Sequence, residues 1–373
     1  MTFNDFNLHP DIIKAIEEYD YQKPTLIQEK AIPALLNGKD LLGCAKTGTG
    51  KTAAFAIPIV QKLLKNKGEC VGSKPVRALI LAPTRELAIQ IGENIEAYAR
   101  YTELQVGVLF GGITPKRHIK VIKREPDIIV ATPGRLLDFV EQGHINLDTI
   151  EMFVLDEADQ MLDEAMLKIV KKIIRKLPKS RQNMLFSATM PKEVMKLVNS
   201  FLKNPVKISA EVTAADKVEI NQQVYYVEEP DKTKVLIQWL KEQTYESVLV
   251  FVRTKTKADK VSKAINISNI RNKAIHGDKG QSERQKALEL FKNKEIKVLI
   301  ATDVAARGID IDKLSHVINM NIPNIPETYI HRIGRTGRAG MHGTAISFCS
   351  QEELPFLKAI EQLQGKSLEE VTF

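Results

Sequence analysis

The sequence predicts an α/β protein built from two tandem domains, each a mostly parallel sheet flanked by helices. The chain has 373 residues, and at about 100–200 residues per domain this length favours two domains. Short runs of apolar and β-branched residues alternate with helical patterns along both halves of the chain. Strands that alternate with helices in this way are typical of parallel sheets covered by helices.

The predicted strands are continuous apolar runs, which indicates that both of their faces are buried. In the first half of the chain they cover Asp40–Cys44, Arg77–Ala82, Gln105–Phe110, Asp127–Ala131, Met152–Leu155 and Asn183–Ser187. In the second half they cover Gln223–Val227, Ser247–Val252, Lys297–Ala301, His316–Met320 and Thr344–Cys349. Ligands of open α/β sheets bind beyond the carboxyl ends of the strands. The loops that follow these runs are therefore the places to look for functional residues.

A small, polar and weakly periodic stretch, 204–219, separates the two halves. It begins with Asn204-Pro205, which is a turn signal. We interpret this stretch as the connection between domains. The predicted boundaries are an N-terminal domain over 1–206, a linker over 207–219 and a C-terminal domain over 220–373.

The amino-acid composition indicates which class of partner and which cellular compartment to expect. The formal net charge is +8, which favours a polyanionic partner, although a solvated Lys-rich surface gives the same balance. Aromatic residues make up only 6%, which favours backbone recognition over base stacking. Cys44, Cys70 and Cys349 form no CxxC pair, which argues against a disulfide framework or a zinc site. No signal-peptide pattern or membrane-spanning apolar run is found, so we expect a cytoplasmic protein.

A phosphate-binding loop is predicted between the first strand and the helical stretch that follows it. Its residues are Ala45, Lys46, Thr47, Gly48, Thr49, Gly50, Lys51 and Thr52. The glycines let the backbone approach phosphates closely and direct N–H groups toward them. The Lys51 ammonium can reach the β- and γ-phosphates, and the Thr52 hydroxyl can bind Mg²⁺.

Two adjacent carboxylates, Asp156 and Glu157, directly follow the predicted strand Met152–Leu155. Next to a phosphate-binding loop, the first can hold Mg²⁺ and the second can orient and deprotonate an attacking water. The alternative is a helix N-terminus that favours acidic residues. The upstream loop makes the catalytic interpretation the stronger one.

The quartet Asp156-Glu157-Ala158-Asp159 resembles the signature of the DEAD-box helicases, and further motifs of that family follow in order between Phe3 and about Phe356. The resemblance implies two RecA-like domains that use ATP and Mg²⁺. It makes 3–28 an adenine-reading segment in which Gln28 pairs with the base and Phe3 stacks on it. Some positions depart from the family pattern, namely Asp20, Glu164-Ala165-Met166 and Lys279-Gly280.

The same resemblance assigns coupling and catalytic roles to further residues. Ser187 and Thr189 would link hydrolysis to unwinding, a helix N-cap being the alternative. In the segment His331–Arg338, Arg335 and Arg338 would be arginine fingers on the γ-phosphate and His331 would contact the first domain. A solvated basic turn is the alternative for that segment. The nucleotide would also be faced by Gly308 and Asp310.

RNA contacts are implied for loops that combine backbone N–H groups, hydroxyls and arginines, although an N-cap or a turn explains each of them alone. In the first domain these residues are Pro83, Thr84, Arg85, Gly111, Gly112, Thr132, Pro133, Gly134 and Arg135. In the second domain they are Arg253, Thr254 and Thr302. Contacts of this kind are independent of base sequence, and the 2′-OH is the handle for preferring RNA.

The sequence therefore predicts an ATP-dependent RNA helicase that unwinds RNA duplexes or remodels RNA–protein complexes. Lys51 and Glu157 fall in one domain and Arg335 in the other, so RNA bound across both should stimulate hydrolysis. An ATP-dependent RNA clamp with little unwinding and a DNA helicase or translocase are the alternatives. A monomer is expected. Broad and weak substrate selectivity is expected as well, since no RNA-targeting tail follows the second domain.

Overall fold

The computed structural model describes residues 1–19, 21, 23–45, 48–65, 75–209, 220–306, 314–337 and 343–372. The chain divides into two compact units, Met1–Glu211 and Val212–Phe373. Within the described residues, each unit contains one seven-stranded sheet. The predicted α/β fold with two tandem domains is confirmed.

The sheet of the first unit is parallel throughout. Its strands are β1 (Leu41–Cys44), β2 (Ala78–Leu81), β3 (Val106–Leu109), β4 (Ile128–Ala131), β5 (Met152–Leu155), β6 (Gln182–Ser187) and β7 (Val206–Ser209). They lie in the order β3-β4-β2-β5-β6-β1-β7, and each pair of neighbours is parallel. The carboxyl ends of β1, β2, β5 and β6 therefore meet at one edge.

Helices connect these strands and cover the sheet. They are α1 (Pro10–Glu17), α2 (Leu26–Leu36), α3 (Lys51–Lys65), α4 (Arg85–Tyr98), α5 (Pro115–Ile122), α6 (Pro133–Glu141), α7 (Glu164–Lys176) and α8 (Lys192–Phe201). Short 3₁₀ helices cover Phe3–Phe6 and Ala158–Met161. Side chains of α1 to α4 pack into one core, and side chains of α6 to α8 pack into a second core.

Strand β2 shows why the apolar runs are continuous. Ala78 and Ile80 belong to the first core, whereas Leu79 and Leu81 belong to the second. Successive side chains of a strand point to opposite faces of the sheet. Because both faces are covered by helices, every position of this strand must be apolar.

The second unit repeats the plan. Its strands are β8 (Ile220–Tyr226), β9 (Val248–Phe251), β10 (Asn272–Ile275), β11 (Val298–Ala301), β12 (His316–Asn319), β13 (Gly343–Cys349) and β14 (Glu369–Glu370). They lie in the order β10-β11-β9-β12-β13-β8-β14. The helices are α9 (Lys232–Glu242), α10 (Lys255–Ile267), α11 (Gln281–Lys292), α12 (Asp303–Ala306), α13 (Pro326–Ile333) and α14 (Leu354–Gln364). A 3₁₀ turn over Gln351–Glu353 precedes α14.

Several helices begin where a loop supplies a cap. The Thr84 hydroxyl accepts a hydrogen bond from the Leu87 N–H at 3.3 Å at the start of α4. The Thr254 hydroxyl accepts one from the Lys257 N–H at 3.2 Å at the start of α10. Proline occupies the first helical position of α6, where no N–H is needed. Loops that end in such caps place their polar residues at the carboxyl edge of each sheet.

Strands β7, β10 and β14 were not predicted. Each of them lies at or beside the edge of its sheet, and none is a continuous apolar run. The predicted linker, 207–219, overlaps the last residues of β7, and its remaining part, 210–219, lies outside the described residues. Over the described ranges, the helices are too short or too polar to cross a bilayer.

Replacing Gly92 with Ala should lower the free energy of unfolding by about 1–3 kcal/mol. Gly92 lies inside α4, and a Cβ there would overlap the Val108 Cγ2 of β3. This clash should outweigh the gain of about 1 kcal/mol in helix propensity. Urea unfolding of the variant and the wild type measures the difference.

Gly134→Ala is the matched control. Gly134 also lies in a helix, but a Cβ there would meet no atom within 4 Å. This variant should be unchanged or stabilised, by up to about 1 kcal/mol. Equal effects of the two substitutions would contradict the packing that the structure gives to Gly92.

Candidate functional site

Two glycines of the loop between β1 and α3 have backbone conformations that favour glycine. Gly48 has φ +82° and Gly50 has φ +90°, a region that residues with a Cβ rarely adopt. A Cβ on Gly50 would also overlap the Gln28 Nε2. The Ala45 N–H donates to the Ser187 carbonyl at 3.0 Å, which ties the loop to β6. Lys46 and Thr47 lie outside the described residues.

Gln28 contacts this loop directly. Its Nε2 donates to the Gly50 carbonyl at 3.1 Å, and its Oε1 accepts from the Thr25 N–H at 2.9 Å. The Thr25 hydroxyl donates to the Thr49 carbonyl at 2.8 Å. Two residues of the predicted adenine-reading segment therefore hold the phosphate-binding loop from one side.

Phe3 is placed differently from Gln28. Its ring is buried and packs edge-on against Phe6, with ring centroids 6.0 Å apart. It lines a cavity together with Ile13, Ile16 and Tyr21. Phe3 therefore belongs to the N-terminal core and also lines this cavity.

Lys51 and Asp156 are both buried at the end of the sheet. Lys51, the first residue of α3, is 6% exposed, and its Nζ has no hydrogen-bond partner among the described residues. Burial raises the pKa of Asp156, and the positive charge of Lys51 opposes this rise. A buried amine without a hydrogen-bond partner raises the free energy of the folded protein unless a ligand supplies hydrogen-bond acceptors. Thr52 follows in α3 and is half-buried.

Glu157 is held in a strained backbone conformation. Its φ is +50°, in the left-handed region, which costs free energy for a residue other than glycine. Its N–H donates to Asp156 Oδ1 at 2.9 Å, and its Oε2 accepts from Gln160 Nε2 at 2.6 Å. Glu157 makes no side-chain cap on the 3₁₀ helix that follows. Glu157 thus lies at a helix start, as the alternative has it, but its carboxylate does not cap that helix.

Asp159 connects the acidic quartet to the segment that follows β6. Its Oδ2 accepts from the N–H and the hydroxyl of Thr189, both at 3.0 Å. Its own N–H donates to the Ser187 hydroxyl oxygen at 3.3 Å, and that hydroxyl donates to the Thr189 carbonyl at 2.7 Å. The N-cap of α8 is Pro191, so the N-cap alternative for Ser187 and Thr189 is wrong.

The predicted RNA-contacting loops of the first unit converge. The Arg85 guanidinium covers Gly112 so closely that a Cβ there would overlap its Nη1. Gly112 also has φ +86°. Pro83 and Thr84 precede Arg85, and a Cβ on Gly111 would lie 3.8 Å from the Arg85 Nη2. The loops after β2 and β3 thus form one surface.

The loop after β4 joins this surface through Arg135. Its Nε donates to the Phe110 carbonyl at 3.3 Å and its Nη2 to the Ile113 carbonyl at 3.1 Å. Thr132 is the N-cap residue of α6, and its N–H donates to the Leu109 carbonyl at 2.9 Å. Pro133 is buried and Gly134 is half-buried in the first turn of the helix.

His118 supports the loop after β3, and no sequence motif pointed to it. Its Nε2 accepts the Phe110 N–H at 3.3 Å, and its ring lies edge-on to Phe110 and Phe139. Burial, aided by the charge of Arg135, lowers the pKa of His118 to about 4. A neutral ring is required here, because a protonated Nε2 could not accept the bond.

In the second unit, the predicted RNA-contacting residues follow β9 and β11. Arg253 donates through Nη2 to the Ile322 carbonyl at 3.2 Å and to Glu353 Oε1 at 3.0 Å. Thr254 caps α10, as described above. Thr302 is buried, and its carbonyl accepts from the Ala305 and Ala306 N–H groups.

The basic segment around α13 is anchored by Arg332. Its guanidinium binds Asp303 through two hydrogen bonds, at 2.6 and 2.7 Å, and also donates to Asn319 Oδ1 at 3.0 Å. His331 lies in the last turn of α13 and Arg335 is buried just beyond it. Three other predicted residues, Gly308, Asp310 and Arg338, lie outside the described residues.

Sequence reasoning named the motifs but missed several of their supports. Thr25 could have been found, because Thr25 and Gln28 have the spacing of a capping box. Asp159 stood in the acidic quartet without a role. Asp303, Arg332 and Glu353 make contacts that only the fold brings together. Among the described residues, no group of three or more His, Cys, Asp or Glu side chains could hold a metal ion.

The variant His118→Gln should make the free energy of unfolding less dependent on pH between about 6.5 and 4. The folded protein keeps His118 neutral down to its pKa of about 4, whereas the unfolded chain protonates it near 6.5. The stability contributed by the neutral ring is complete above pH 6.5 and is lost as the pH falls, by up to about 1.4 kcal/mol per pH unit.

The amide oxygen that this variant introduces can still accept the Phe110 N–H, but it cannot be protonated in this pH range. Urea unfolding of both proteins at pH values from about 7 to about 5 measures the two slopes. Parallel pH dependences would contradict the buried, neutral state of His118.

Comparison with known proteins agrees with this geometry. Residues 25–197 match the family described as DEAD/DEAH box helicase, and residues 231–340 match the helicase conserved C-terminal domain. The DEAD-box ATP-dependent RNA helicase CshA of Bacillus subtilis is 41% identical over 371 residues, 99% of this chain and 74% of that protein. CshA of Geobacillus kaustophilus is also 41% identical, over 99% of this chain and 78% of that protein.

Solved structures with a similar fold include Saccharomyces cerevisiae Dbp5 bound to RNA and ADP BeF3. It is 33% identical, covers 100% of this chain and 95% of its own, and has a TM-score of 0.86. A DEAD box protein from the hyperthermophile Methanococcus jannaschii is 40% identical over 100% and 99% of the two chains, with a TM-score of 0.55. The acidic quartet, the phosphate-binding loop and the two RecA-like domains thus have one explanation: the chain belongs to the DEAD-box family of ATP-dependent RNA helicases.

Proposed function

We propose that this chain hydrolyses ATP in its first unit when single-stranded RNA is bound, and that it uses the cycle to separate short RNA duplexes or to remodel RNA–protein complexes. The observation that carries the proposal is the buried Lys51 amine, which has no hydrogen-bond partner among the described residues and lies at the start of α3 near the buried Asp156. A phosphate chain supplies the hydrogen-bond acceptors that this amine lacks there.

The binding of ATP follows from the same loop. Lys51 Nζ binds the β- and γ-phosphate oxygens, while backbone N–H groups of the glycine-rich loop cradle the chain of phosphates. The half-buried Thr52 hydroxyl and the Asp156 carboxylate are the residues that fit Mg²⁺, which prefers few protein ligands together with substrate phosphates. When bound, this ion neutralises charge on the phosphate oxygens.

Glu157 performs the proton transfer in this proposal. Its carboxylate orients a water toward the γ-phosphorus and accepts the proton as the P–O bond to ADP breaks. The left-handed backbone and the hydrogen bond from Gln160 fix the direction of the carboxylate. Arg335 and Arg338 act as arginine fingers on the γ-phosphate, and His331 takes part in coupling the units.

Asp159 couples the position of the acidic quartet to that of the segment after β6. Its bonds to Thr189 mean that a shift of the acidic quartet moves Thr189 with it. The RNA-contacting surface formed by Arg85, Gly112 and Arg135 binds phosphates and sugars without reading bases. These contacts support RNA as the ligand, and the protein acts as a monomer.

The proposal is tested by steady-state ATP hydrolysis with no nucleic acid, with single-stranded RNA, and with DNA of the same sequence. RNA should raise the rate at least about tenfold and DNA should not, because only RNA offers 2′-OH groups. Equal stimulation by both would favour a DNA translocase. Stimulated hydrolysis without separation of an RNA duplex would favour an RNA clamp.

The variant Glu157→Gln should hydrolyse ATP about 10²- to 10⁴-fold more slowly, because it cannot accept the proton from water. It should still bind RNA in the presence of ATP, since no phosphate or sugar contact is lost. Single-turnover hydrolysis and the fluorescence anisotropy of a labelled RNA measure the two properties.

Glu164→Gln is the matched control for that variant. Glu164 lies a short distance along the chain, is exposed, and pairs with Lys168 on the surface of α7. Its replacement should leave hydrolysis unchanged, since exposed pairs contribute little. A normal rate in Glu157→Gln would remove Glu157 from the role of base.

A further inference from the structure

A buried carboxylate, Glu353, joins four strand ends at the carboxyl edge of the second sheet. It is 3% exposed and accepts hydrogen bonds from Lys232 Nζ, Arg253 Nη2 and Asn321 Nδ2. Lys232 begins the helix after β8, Arg253 follows β9, and Asn321 follows β12. Glu353 itself closes the 3₁₀ turn after β13, where it also accepts the Ser350 N–H at 3.2 Å.

Among the described residues, this carboxylate binds Arg253 at one nitrogen, Nη2. Its Nη2 lies 3.0 Å from Glu353 Oε1 and 3.2 Å from the Ile322 carbonyl oxygen. The side chain is nevertheless 49% exposed. A long side chain that is already oriented and presented to solvent loses less conformational entropy when it binds a phosphate.

The carboxylate cannot be removed without consequence for Lys232. Lys232 is completely buried, and its other carboxylate partner is Glu229 at 3.2 Å. Glu229 is shared with Lys257, also at 3.2 Å. Buried charges persist only when they are paired. Glu353 thus compensates Lys232 from one side while it orients Arg253 from the other.

We propose that Glu353 is a positioning residue for RNA binding, acting through Arg253. The inference rests on the proposed function and on the prediction from the sequence that Arg253 contacts the RNA backbone. Lys232 and Asn321 fix the carboxylate, the carboxylate fixes the guanidinium, and the guanidinium meets a phosphate in a ready conformation. Glu353 therefore tunes the affinity for RNA and leaves the hydrolytic step in the first unit untouched.

The test is a double-mutant cycle between Glu353→Gln and Arg253→Ala, with RNA-stimulated ATP hydrolysis as the readout. Each single variant should raise the RNA concentration for half-maximal stimulation about 5- to 10-fold. In Glu353→Gln, the rate at saturating RNA should stay within about twofold of wild type. In the Arg253→Ala background, Glu353→Gln should have almost no further effect.

Glu246→Gln is the matched control, because Glu246 lies in the same unit and pairs with Lys294 on the open surface. It should leave the half-maximal RNA concentration unchanged. Should Glu353→Gln fail to fold, as judged by its thermal unfolding, the cycle is run with Lys232→Met/Glu353→Gln, which removes both buried charges together.

Additive effects in the cycle, or an unchanged half-maximal concentration in Glu353→Gln, would overturn the positioning role. An unchanged concentration in Arg253→Ala would overturn it as well, while RNA stimulation itself stays intact. A wild-type protein that RNA does not stimulate would instead contradict the proposed function. The two failures are therefore told apart by the wild-type measurement alone.

Discussion

The parallel pairing of both sheets is the constraint on which the sites depend. Two parallel neighbouring strands require a crossover connection, which returns the chain to the amino edge of the sheet before the next strand begins. All loops after strands therefore open at one side of each sheet. In the first unit this brings Lys51, Asp156 and Thr189 together from three strands that are distant in the sequence. The order and direction of the strands thus bring the residues of the site together, and no single motif does so alone.

The two units treat buried charge in different ways. In the second unit, Lys232 is paired with Glu353, and Arg332 is paired with Asp303 by two hydrogen bonds. In the first unit, Lys51 has no hydrogen-bond partner among the described residues, and burial raises the pKa of Asp156. Paired charges fix the local geometry. A buried amine without a hydrogen-bond partner instead raises the free energy of the folded protein, and a ligand that binds the amine lowers it. The first arrangement suits a scaffold and the second suits a binding site.

The sequence predicted most strands because burial on both faces leaves a continuous apolar run. It failed at β7 and β10, where the edge of the sheet admits polar side chains such as Lys207 and Lys273. It also pointed to the motif residues, through their local spacing and through the family resemblance. It did not predict that Asp159 binds Thr189, which is 30 positions away. Such pairings depend on strand order, and one sequence holds no local signal for that order.

Gln28 could couple recognition of the adenine base to the position of the phosphate-binding loop. One hydrogen of its Nε2 is used by the Gly50 carbonyl, and one lone pair of its Oε1 is used by the Thr25 N–H. An amide has a second hydrogen and a second lone pair, so an adenine edge could be bound without breaking either contact. The positive φ of Gly50 and its lack of a Cβ permit this close approach to Gln28, and the hydrogen bond joins the two residues. Under the proposed function, a base that orders Gln28 therefore also orders the loop that precedes Lys51.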